Sequence, residues 1–154
     1  MVEYQPNSFA GAFDDEELDA LWDHLPWDEL PDDFTPPPID APYLKHVREF
    51  HGGKPVNAHA GGHYIERFLN FANPFACSAA DQVFNINVIR QCIEDRLDDL
   101  HMPLAALAHG NYLCFDYNIT PRPTVFFWYH ENPADTHHVA DDFDDLLGSL
   151  TAHP

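Results

Sequence analysis

From Val83 onward, apolar residues recur at helical spacing: Val83, Ile86, Ile89, Ile93, Leu97 and Leu100. A 3.6-residue period of that length predicts one amphipathic helix over 79–100. Ser78 followed by Asp81 supplies a capping box at its start, the hydroxyl accepting a backbone N–H of the first turn. The far end carries Asp98 and Asp99, where the helix dipole favours cations by ~0.3–1 kcal/mol each. Either this helix stops early or the acidity there answers to something other than stability.

Beyond it the pattern changes to strand. YLCFDY (112–117) and TVFFWY (124–129) are rich in aromatic and β-branched residues, and 118–123, with two prolines, joins them as a hairpin. Both faces of the second strand are apolar, so something covers each side. Residues 64–71 alternate, with Tyr64, Glu66, Phe68 and Asn70 on one face and Ile65, Arg67, Leu69 and Phe71 on the other. A closing helix shows Val139, Phe143, Leu146, Leu147 and Leu150 on one stripe, with Asp141, Asp142, Asp144 and Asp145 on or beside its solvent face. Near the front, Asp14, Asp15, Glu16 and Glu17 suit the first turn of a short helix whose stripe is Leu18, Leu21, Trp22 and Leu25. Pro42 starts another helix, with Tyr43, Leu44, Val47 and Phe50 inward and Gly52-Gly53 as its left-handed cap. Helix, strands, helix, strands, helix is an α+β arrangement.

Composition places this pattern in a globular protein. The 154 residues fit one domain, 45% are hydrophobic, and 12 Phe, 6 Tyr and 3 Trp ask to be buried. Charge adds the unusual feature: 26 acidic against 7 basic residues, net −19. Such a surface repels phosphate, so nucleic acid is excluded as a partner, and a basic protein is the natural complement. The surplus is unevenly spread. Residues 1–44 carry no Lys or Arg, 45–100 are almost balanced, and 101–154 hold the single base Arg122. The first stretch also holds Pro6, Pro26, Pro31, Pro36, Pro37, Pro38 and Pro42, and residues 1–41 read as an acidic, partly ordered arm before a domain over 42–150 and a tail at 151–154. No signal-peptide pattern and no apolar run of membrane-spanning length is present, and Cys77, Cys92 and Cys114 are scattered. A cytoplasmic protein with reduced thiols is expected.

Catalytic chemistry finds little support. His59 and His63 are separated by Gly61-Gly62, His137 and His138 are adjacent and face apart, and His130-Glu131 lacks a second zincin histidine. No nucleophile elbow and no P-loop occurs. No catalytic residue, metal ligand or cofactor is assigned; a small metal-dependent hydrolase using His and Asp is the alternative from the enzyme class.

Several ordered segments carry a resemblance. Leu44–Pro55 (LKHVREFHGGKP) resembles the helix, glycine pair and proline near the start of the SUKH superfamily, the Smi/Knr type of immunity protein. Pro103, Ala108, Gly110, Asn111 and Asp116 match its next motif, and Val125, Trp128, His130 and Glu131 the "V-x-x-W-x-H-E" strand. Val139, Ala140, Phe143 and Leu147 look like its closing helix. Two features depart from the pattern: His109, where glycine or an acid is commoner, and the arm before residue 42. The resemblance implies a mixed or antiparallel sheet packed against helices. It also implies a non-catalytic antitoxin that neutralises a secreted polymorphic or contact-dependent toxin, most often a nuclease, or a regulatory scaffold of the kind some relatives are. Gly52, Gly53, Gly110, Asn111, Asp116, Trp128, His130 and Glu131 are implied to be structural. Partner contact is expected at Asp14, Asp15, Glu16 and Glu17 and at Asp141, Asp142, Asp144 and Asp145.

Overall fold

Six antiparallel strands form the sheet in chain order: β1 (His59–Ala60), β2 (His63–Phe68), β3 (His101–Leu107), β4 (Tyr112–Asp116), β5 (Thr124–Trp128) and β6 (His137–Ala140). The computed structural model describes residues 2–24, 41–118 and 122–154, with the backbone alone for Trp22 and Ala41. Five helices accompany the sheet among these residues: α1 (Asp15–His24), α2 (Ala41–Phe50), α3 (Ala79–Val83), α4 (Ile86–Ile93) and α5 (Phe143–Gly148). The class is α+β in a single domain, as expected, and the sheet is antiparallel throughout.

The sheet is strongly curled. The rings of His63 on β2 and Phe127 on β5 stack at 3.9 Å although β3 and β4 lie between them. Three flat steps of ~4.8 Å would hold those strands ~14 Å apart. Curling also brings the edges together: the Gly61 turn rests against Val139 of β6, and His59 exchanges backbone bonds of 2.9 and 3.0 Å with Thr151. Side chains alternate across the sheet, so Phe115 and Cys114 face opposite ways. Tyr43 of α2 sets its ring edge-on to Phe115 and to Phe143 of α5, at 5.0 Å each. α4 packs on β3, and Arg96 just beyond it lies over the Trp128 ring.

β1, β3 and β6 were not among the expected strands. β3 (HMPLAAL) lacks β-branched residues and contains a proline, which has no N–H for a ladder. Pro103 is tolerated because β2 pairs only with 105–107 and the β3–β4 register shifts between Pro103 and Ala105. Val139 and Ala140, read as the start of the closing helix, belong to β6; α5 begins only at Phe143, behind the extended cap Asp142.

The expected helix over 79–100 is two helices. Ser78 caps α3 as anticipated, its hydroxyl accepting the Asp81 N–H at 3.1 Å. Asn85 then breaks the run. Its Oδ1 accepts the N–H groups of Asn87 and Val88, its Nδ2 donates to the Ala72 carbonyl, and its extended backbone bridges Asn70. Asn is prone to this because its side chain offers the backbone partners that compete with a helix. α4 ends at Ile93, so Asp98 and Asp99 lie beyond it, and Val83 is exposed while Ile86, Ile89, Ile93, Leu97 and Leu100 are buried.

Residues 2–24, expected to form part of a loose arm, are packed. Tyr4 stacks on Phe50, Ala10 and Asp14 donate backbone bonds to His51 and Phe71, and Leu18 and Leu21 enter the main core. Enough apolar side chain is present there to outweigh the acidic repulsion. Gly52 makes the docking possible: its φ is +74°, and a Cβ would stand 2.7 Å from that of Ala10. Leu25, Trp27, the prolines at 26, 31 and 36–38, and the hairpin turn at 119–121 lie outside the described residues.

Candidate functional site

Each acidic cluster divides into carboxylates used by the fold and carboxylates left to solvent. At α1, Asp14 accepts the Glu16 N–H at 2.9 Å, a local bond that starts the helix. Asp15 meets Arg48 at 2.9 Å, with both side chains largely exposed. Glu17 turns inward, and one carboxylate oxygen accepts from Asn87 at 3.0 Å and Asn85 at 3.2 Å. Glu16 is exposed with no side-chain partner among the described residues. At α5, Asp142 caps the helix by accepting the Asp145 N–H at 2.8 Å, and Asp145 accepts the Asp141 N–H at 3.0 Å in return. Arg122 pairs with Asp142 at 3.4 Å and His138 with Asp141 at 3.0 Å. Asp144 is exposed on the rim of a hollow of about 500 Å³ between α2 and α5, lined also by Lys45, His46, Glu49 and Leu147. Glu16 and Asp144 are therefore the freest carboxylates of the two sets. Spacing alone could not distinguish them from the capping acids beside them.

Gly110, Asn111, His130 and Glu131 of the motifs lie at one end of the sheet. His109 (φ +63°) and Gly110 (φ +73°) make the β3–β4 turn, and Asn111 accepts the His130 N–H at 3.0 Å, tying that turn to the end of β5. Arg96 donates to His130 Nδ1 at 3.0 Å and to the His130 carbonyl at 3.4 Å. Tyr129 donates to Glu131 at 3.1 Å, and this bond raises the phenol's pKa. Trp128 is buried, whereas Asp116 bonds to Asn118 and to His101 at 3.4 Å near the other end of β4. Gly52 and Gly53 form the turn after α2, and a Cβ on Gly53 would meet the Tyr4 ring at 2.7 Å. Arg96 was not singled out from the sequence, because its role comes from a partner distant in the chain; His109, noted there only as a departure from the family pattern, owes its place to its positive φ in the turn.

The histidines do not assemble. Among the described residues no group of three or more His, Cys, Asp or Glu side chains could hold a metal ion. His63 stacks on Phe127, and His137 and His138 each meet a different aspartate. No helix among the described residues is long and apolar enough to cross a membrane.

No curated protein and no solved structure matches the chain. The model of the SMI1 / KNR4 family (SUKH-1) matches residues 38–149, which contain the whole stretch from α2 to α5. That match covers well over half of the molecule, so the chain belongs to the SMI1/KNR4 family (SUKH-1), a family of generally non-catalytic immunity and Smi1/Knr4-type proteins.

Proposed function

We propose that this protein is a cytoplasmic antitoxin that binds a secreted polymorphic or contact-dependent toxin, a basic nuclease, and occludes its active site. One observation supports this most: in a member of an immunity family with net charge −19, both acidic clusters lie on helix starts and keep exposed carboxylates such as Glu16 and Asp144. A nuclease grips phosphate with a basic cleft. Carboxylates held on a folded surface compete for that cleft without any chemistry of their own. The contact residues on this reading are Asp14, Asp15, Glu16 and Glu17 at α1 and Asp141, Asp142, Asp144 and Asp145 at α5. Glu17, Asp142 and Asp145 serve chiefly to hold their neighbours in place.

The family resemblance implies that the toxin is encoded beside this gene, and the test is co-expression with that adjacent toxin. Host growth should be rescued, and purified protein should abolish nucleic-acid cleavage at about one equivalent. Cleavage that continues at tenfold excess would sink the proposal.

A further inference from the structure

α3 buries none of its residues. Ala79, Ala80 and Val83 are exposed and share one side by helical spacing, and the loop before them presents Ala76 and Phe75 to solvent. Phe75 is 96% exposed and Val83 63% exposed. The Phe75 turn is fixed, with Asn73 accepting the N–H groups of Phe75, Ala76 and Cys77 at 2.9, 3.1 and 2.9 Å. An aromatic ring held outward in this way contributes nothing to the core.

Acidic chain is pinned alongside the same segment. Asp14 donates its N–H to the Phe71 carbonyl at 2.8 Å, and Gly11 donates to the Asp81 carboxylate at 3.2 Å. Glu17 meets Asn85 and Asn87. The first turn of α1, with Glu16 exposed, thus flanks an apolar projection. Buried aromatic anchors inside a polar rim are how protein interfaces concentrate their affinity.

We infer that Phe75 and the exposed side of α3 are the apolar anchor of the toxin interface, inserted into a hydrophobic pocket whose surround is basic. This rests on the antitoxin reading above. A second copy fits poorly, because two such faces would bring like-charged rims together.

The test uses the adjacent toxin, catalytically inactivated and purified, against wild type, Phe75→Ser, Val83→Ser and the exposed control Val56→Ser. Phe75→Ser should weaken binding about 30-fold, mainly through faster dissociation, with Val83→Ser in the same direction. Thermal midpoints should not move, and Val56→Ser should bind as wild type does. Wild-type affinity in both Phe75→Ser and Val83→Ser overturns the inference while leaving the antitoxin reading intact. Failure of the wild type to bind overturns both. A wild-type dimer in sedimentation that Phe75→Ser dissociates assigns the face to a second copy and also overturns it.

Discussion

His51 accepts the backbone N–H of Phe71 on Nδ1 at 3.0 Å, and its Nε2 donates to the Gly11 carbonyl at 2.8 Å. Only the neutral ring can do both. Burial lowers its pKa, against the Gly11 bond and the charge of Asp81. One helical turn earlier, His46 accepts the Tyr4 hydroxyl, and burial lowers its pKa to about 4 despite the nearby charge of Asp144. Two neutral histidines therefore staple residues 4–14 to the end of α2.

These staples carry a sign. Below pH ~6.5 the unfolded chain takes up protons that the native rings refuse, so their stabilisation is complete above that pH and is lost as pH falls toward 4. Urea midpoints should drop between pH 6.5 and 4.5, with the amides of Ala10 and Asp14 exchanging first. Tyr4→Phe combined with His46→Phe should flatten the slope. An equal slope in that variant would show that His46 is not responsible.

Asn85→Ala should cost ~2–4 kcal/mol, because it removes a helix cap, strands a buried carbonyl and takes one of two amide donors from the inward carboxylate of Glu17. Chemical denaturation measures it. A loss below ~1 kcal/mol would mean that the break between α3 and α4 does not depend on this side chain.

At α5 the acids should separate. Asp142→Ala loses a cap and should cost ~1 kcal/mol, while Asp144→Ala should leave stability within ~0.5 kcal/mol. Equal costs would contradict the division into structural and solvent-facing carboxylates.

Legibility from the sequence followed how local each determinant was. The β4–β5 hairpin could be read because Tyr112–Asp116 and Thr124–Trp128 carry their strand preference in their own residues. β3 could not, because what makes Pro103, Ala105 and Ala106 part of a strand is the neighbours on either side. The apolar period across Val83–Leu100 hid a break that Asn85 makes through its cap of α4 and its bonds to Ala72 and Glu17. The acidic clusters were visible as composition. Which acids cap a helix and which stay free became apparent only from the backbone around Asp142 and Asp14.

Recruitment of a basic toxin by acidity is measured by stopped-flow association with the adjacent toxin at low and high salt. The comparison is wild type against a variant with Asp141, Asp142, Asp144 and Asp145 changed to Asn, which keeps the cap because Asn serves as well as Asp there. A second variant carries the amide replacements at Asp14, Asp15 and Glu16. Wild type should associate at ~10⁸–10⁹ M⁻¹s⁻¹ at low salt and slow steeply as salt rises, and each variant should associate more slowly and with a shallower salt dependence, moving toward the ~10⁵–10⁶ of a neutral pair. Rates that match wild type in both variants, and that do not respond to salt, would contradict the account.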